Sequence, residues 1–126
     1  MESAKNNKVY SFLKEKRASK RIDFDLEIMY PRINDKNVNN PSGDPIMRAL
    51  NISEAGICIS SDIPLKKGDF LDILLSIKGS PSFTAIMEIK WVGYDDKAFL
   101  AGGEFLCLTM DQINTIRGFV NKSLDS

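Results

Sequence analysis

From Ile22 the chain alternates. Phe24, Leu26, Ile28 and Tyr30 take one side of an extended backbone, and Asp23, Asp25, Glu27 and Met29 take the other, which predicts a half-buried strand. Similar short apolar runs follow at Ile46–Leu50, Ile57–Ser60, Phe70–Ile77, Phe83–Tyr94 and Ala98–Leu108. Turn chemistry separates them: the Pro- and Asn-rich stretch Pro31–Pro45, a long loop or hairpin tip, then Asn51–Gly56, Pro64–Asp69, Gly79–Ser82 and Asp95–Lys97. Six strands at close spacing predict an all-β fold, an antiparallel barrel or sandwich. In the longest strand Ala85, Met87, Ile89 and Trp91 share a side, which assigns Trp91 to the core.

The period then changes. Ile113, Ile116, Val120 and Leu124 recur at three- and four-residue steps, an apolar stripe on a helix of about residues 110–124. Thr109 and Gln112 have capping-box spacing at its start. The helix is expected to plug or flank the barrel. Upstream of the first strand, Val9, Tyr10, Phe12 and Leu13 are an isolated apolar cluster in a Lys/Asn-rich segment, read as a flexible N-terminal arm.

Composition narrows the function. The 126 residues suit one domain, and no apolar stretch is long enough to span a membrane. The polar Met1–Lys8 offers no signal-peptide core, so the protein is expected in the cytoplasm, with Cys58 and Cys107 as buried reduced thiols. The chain has no His, which removes Ser-His-Asp and Cys-His catalysis and most zinc sites. Asp23 and Asp25 share the outer face of their strand with nothing to bury either, a poor acid/base pair. No nucleophile–base pair has a recognisable spacing, so no enzymatic activity is expected.

Net charge is zero but unevenly placed. Residues 1–21 hold seven Lys/Arg against Glu2 and Glu15, leaving a body of ten basic and fifteen acidic side chains. A basic arm on an acidic body points to a localised anionic partner. A small nucleic-acid-binding barrel fits poorly, because the strands lack surface aromatics interleaved with Lys and Arg.

Two polar constellations stand out. Arg17 and Arg21, four residues apart, lie ahead of the first strand, where two planar forks can converge on one phosphate or purine. Asn51-Ile-Ser53-Glu-Ala-Gly56 is a turn whose Asn and Ser can bond backbone or ligand, and whose Gly permits a positive φ or a close approach. Arg-x-x-x-Arg before the first strand, followed after a hairpin by Asn-x-Ser-x-x-Gly, resembles the paired signature of PilZ domains, bacterial receptors for cyclic di-GMP. The likeness runs through Pro64-Leu65…Gly68, Ile89-Lys90-Trp91, Gly102…Phe105 and the final helix, about residues 15 to 124.

The resemblance implies a six-stranded antiparallel β-barrel with a C-terminal helix, the barrel at about 22–108, within a PilZ domain of residues 17–126 that follows an arm of residues 1–16. It implies that Arg17 and Arg21 grip phosphate and guanine, Asn51 bonds a guanine edge, the Ser53 hydroxyl helps hold the ligand, and Gly56 lets the backbone approach it. Lys16 matches a position that influences whether one or two ligand molecules bind, a basic residue leaning towards two. Lys20, Trp91 and Gly102 are further candidate contacts, Trp91 because some members stack an aromatic there. Asn in place of Asp at position 51 removes a charged acceptor, so weaker binding is expected. The 31–45 loop is long for the family and is a candidate partner surface. The function implied is an effector that binds cyclic di-GMP, needs no cofactor and regulates a partner protein of motility, pilus, secretion or exopolysaccharide machinery. A ligand-independent PilZ-type interaction module is the alternative.

Two matches mislead. Asn51-Ile-Ser53 fits a glycosylation sequon, irrelevant without secretion. Gly102-Gly-Glu-Phe105 looks like the signature of cyclic-di-GMP-synthesising cyclases, but lacks its further acidic residue, and that catalytic domain exceeds this chain in size. The two glycines are read instead as a bulge or a close approach within a strand.

Overall fold

The computed structural model describes residues 21–28, 30–38 and 43–124. The arm of residues 1–16, with Lys16, and the candidate contacts Arg17 and Lys20 lie outside them. Eight antiparallel strands form one curled sheet, a half-barrel, followed by a helix. The strands are β1 (Ile22–Ile28), β2 (Arg32–Ile33), β3 (Lys36–Asn37), β4 (Met47–Ile52), β5 (Gly56–Ser61), β6 (Phe70–Leu75), β7 (Phe83–Tyr94) and β8 (Phe99–Leu106), and the helix α1 is Met110–Leu124. Their spatial order is β1-β4-β5-β8-β7-β6-β2-β3. Six of the strands are those the alternation predicts.

The added pair, β2–β3, lies within the Pro31–Pro45 stretch. Two residues per strand are too few for a period to register. Asn34 and Asp35 turn it with φ of 50° and 68°, left-handed values that Asn and Asp tolerate best among residues with a Cβ. Asn34 fastens the hairpin to β6: its N–H donates to the Phe70 carbonyl (2.8 Å), and its side-chain oxygen accepts the Phe70 N–H (3.0 Å).

The concave face is predominantly apolar. Ile52, Ile57, Ile59, Leu71, Met87 and Ile89 come from successive strands, are almost fully buried, and meet Ile116 and Val120 of the helix. Burial of one such side chain contributes about 1.5–3 kcal/mol. The helix flanks β1 as well, where the Phe24 and Phe119 rings meet edge-on at 5.5 Å. Its capping box closes in both directions: Gln112 N–H donates to Thr109 Oγ1 (3.1 Å), and Gln112 Oε1 accepts the Thr109 N–H (3.0 Å). Cys58 is buried as expected, but Cys107 is exposed. It follows β8 at φ 55°, where the chain leaves the sheet and turns outward before the helix.

Candidate ligand-binding surface

The ladder places the candidate residues. Register pairs Asp23 with Asn51, Asn51 with Cys58, Cys58 with Gly102, and Gly102 with Trp91. Directly paired residues point the same way, so these five form one row across β1, β4, β5, β8 and β7. The neighbouring row, Ile52–Ile57–Gly103–Ile89, is the core row, so the candidate row faces outward. At about 4.8 Å per strand, Asn51 and Trp91 stand about 14 Å apart.

Two bulges create this arrangement. Pairing shifts between Ala49 and Asn51 in β4, and between Ile89 and Trp91 in β7. Each extra residue reverses the faces beyond it. That overturns the core assignment of Trp91: alternation from Ala85 carries it inward, but the irregularity at Lys90 turns it outward, where it is half-buried. The indole lies on Gly102. A Cβ built there would sit 1.9 Å from Trp91 Nε1, so only a bare backbone admits the ring.

Arg21 of the first constellation meets Asn51 of the second at the other end of the row. Arg21, exposed at the entry to β1, donates from Nη1 to Asn51 Oδ1 at 3.1 Å. A planar fork with five donors keeps others available after one such bond. Between this pair and the indole lies Cys58, only 8% exposed. Burial pushes its thiol pKa up, and the nearby Arg21 charge partly opposes that.

The Asn51–Gly56 turn is held from within. Ser53 is 2% exposed, its Oγ accepting the Ala55 N–H (3.2 Å) and its own N–H donating to the Gly56 carbonyl (2.9 Å). Phe105 N–H donates to the Ala55 carbonyl (2.9 Å), tying the turn to β8. Gly56 serves close approach and not a positive φ: a Cβ there would fall 1.9 Å from the Gly103 carbonyl oxygen. At the tip, Glu54 Oε1 accepts from Arg117 Nε (3.0 Å) and Nη2 (2.9 Å) on α1. Glu54 was legible only as an unassigned letter inside the motif, and nothing in the helical period marked Arg117 as its partner.

Arg48 binds Asp25 and, at 3.0 Å, Glu27, and the bond to Asp25 is the main cause of its raised pKa. Among the described residues no cluster of His, Cys, Asp and Glu suits a metal ion, and no helix is long and apolar enough to cross a membrane. Beside the exposed carboxylate of Asp23 at one end and the buried thiol of Cys58, the row offers a guanidinium from Arg21, an amide, an aromatic face and bare backbone, which is chemistry for binding a flat, hydrogen-bonding molecule with localised negative charge.

The family model for the PilZ domain matches residues 15–122. The chain belongs to the PilZ domain family. Its fold is similar to that of the Bacillus subtilis inhibitor of motility MotI/DgrA, with a TM-score of 0.62 and 13% identity over 88% of this chain. The PilZ domain of Escherichia coli YcgR, solved with cyclic di-GMP, gives a TM-score of 0.58 at 11% identity, covering 87% of this chain and 92% of that one. The cyclic di-GMP complex of K. pneumonia MrkH gives 0.51 at 13% over 84% of this chain. This PilZ chain spans about half the length of the MotI/DgrA and MrkH chains, 52% and 51%. No curated protein matches the sequence.

Proposed function

We propose that this PilZ protein is a non-catalytic, cytoplasmic receptor for cyclic di-GMP that regulates a partner protein when loaded. The observation that carries the reading is the Arg21–Asn51 hydrogen bond, since it joins the two halves of the family's signature on one outward face. Arg17 and Arg21 bind phosphate oxygens and a purine, as rigid forks favour. Asn51 exchanges its bond to Arg21 for the edge donors of a guanine. Ser53 contributes through its hydroxyl, which keeps its hydrogen and one lone pair after accepting the Ala55 N–H. Gly56 and Gly102 keep the backbone bare, Trp91 offers a ring about 14 Å along the row, and Lys16 and Lys20 add positive charge. The likeness to YcgR and MrkH, both solved with cyclic di-GMP, supports the choice of ligand.

Calorimetry with cyclic di-GMP, with GTP and cyclic GMP as controls, tests this. Saturable heat for the dinucleotide alone is expected, with its stoichiometry deciding between one ligand and two. A second reading, a ligand-independent interaction module, draws on Ser53, which is 2% exposed and whose oxygen already accepts the Ala55 N–H within its own turn. No heat up to millimolar cyclic di-GMP would select that reading.

A further inference from the structure

Both halves of the candidate site touch the same helix. The motif turn reaches α1 through Glu54, the residue after Ser53, whose carboxylate takes two donors from Arg117. The strand that follows Arg21 reaches it through Phe24, whose ring meets Phe119 at 5.5 Å. Phe24 lies in the part of β1 where pairing with β4 is irregular, between Asp23 and Leu26, so a displacement at Arg21 meets less resistance from the ladder there than along a regular strand. The contacts lie at Arg117 and Phe119, two residues apart on a helix anchored from below by Ile116 and Val120.

We infer that α1 is the read-out element of the site: occupancy by cyclic di-GMP repositions this helix through the Glu54–Arg117 ion pair, with Phe24–Phe119 as a second contact. The inference rests on the receptor reading above. The ligand's phosphates bring negative charge to the Arg21 side of the turn, which strengthens the hold of that end on Arg117. Seating of Arg21 fixes the start of β1 and with it Phe24. The same pair rims a cleft of about 470 Å³ beside Phe105, Leu108 and Ile113, so the cleft's outline changes with the helix. Coupling is reciprocal: whatever the ligand does to helix docking, the docking contact does to ligand affinity. For an exposed pair the factor is about two- to five-fold.

The test is amide NMR of the full chain titrated with cyclic di-GMP, paired with calorimetry, on wild type, Arg117→Gln, Glu54→Gln and a control, Asn121→Ala. Wild type and control should show ligand-induced shifts both at residues 51–56 and along residues 110–124. In the two bridge variants the turn shifts should persist, the helix shifts should fall by half or more, and affinity should weaken about two- to five-fold. A purely structural bridge moves the helix signals of the free protein but leaves their ligand-induced increment intact, and that result overturns the inference. So does binding by wild type with no helix response. Both leave the receptor reading standing, whereas absence of binding by wild type overturns both together.

Discussion

Arg21→Ala separates binding from folding. The side chain is exposed, and its bond to Asn51 is open to solvent. Truncating such a residue changes stability by no more than about 0.5 kcal/mol, which in a domain of this size moves the melting temperature by less than about 4 °C. A guanidinium bonded to a ligand phosphate is another matter. Hydrogen bonds to charged groups contribute about 1.5–3 kcal/mol, so affinity for cyclic di-GMP should fall about 10- to 150-fold. Arg21→Lys keeps the charge but not the planar fork, and should lie between. Asn51→Ala combined with Arg21→Ala should be less than additive, since the two share a bond, with a coupling of about 0.5–3 kcal/mol. Removing Arg21 also removes the charge that holds the Cys58 thiol pKa down, so that thiol should titrate higher still. Calorimetry and thermal melts on the same preparations suffice. An Arg21→Ala protein that binds within about three-fold of wild type refutes the reasoning, as does a loss of binding accompanied by an unfolded or strongly destabilised chain.

Other substitutions test other parts of the structure. Trp91 is the only Trp, so its fluorescence should change on loading, and Gly102→Ala, which puts a Cβ where the indole lies, should abolish that change. Gly56→Ala meets the Gly103 carbonyl and should destabilise by about 1–3 kcal/mol. Gly118→Ala, on an exposed helical site with nothing within 4 Å, should stabilise by about 0.5–1 kcal/mol; denaturant melts compare the two. Ser53→Ala loses the bond to Ala55 as well as any ligand contact, so stability and affinity should each fall by about 1 kcal/mol. Asp95 accepts the N–H groups of Lys97 and Ala98 and has a lowered pKa for that reason. Its contribution is therefore complete above the ordinary carboxylate range and lost as pH falls through the depressed value. Asp95→Ala should lower the melting temperature at pH 7 and converge with wild type in strong acid.

The long strands and the helix were legible because their periods run over enough residues to stand out, and Thr109 and Gln112 marked the helix start by spacing alone. Pro31–Pro45 was legible as a long loop or hairpin tip, but the paired strands β2 and β3 inside it were not, because their signal is two left-handed residues, Asn34 and Asp35, without flanking alternation. Trp91 shows the limit most clearly. A rule of strict alternation carries no information about where a strand takes on an extra residue, so it sent the ring inward. The Asn51–Gly56 motif could be read, but its internal division could not. Asn51 meets Arg21, Ser53 supports the turn, and Glu54 turns to the helix. Only the fold brings Arg117 to a carboxylate 63 residues earlier. Cys58 was likewise invisible as part of the row, since nothing local reveals that its neighbours in space are Asn51 and Gly102.

The irregularities at Leu50 and Lys90 bear on any attempt to graft this surface onto another scaffold. Copying the side chains of Asn51 and Trp91 onto a regular sheet would aim one or both at the wrong side, however faithful the transplant. Deleting either inserted residue here should act like a change of phase, inverting everything downstream in its strand while leaving composition almost untouched. Homologues aligned by hydrophobic pattern alone would be misread at the same two places. The recipe for the surface is a residue count as much as a set of side chains.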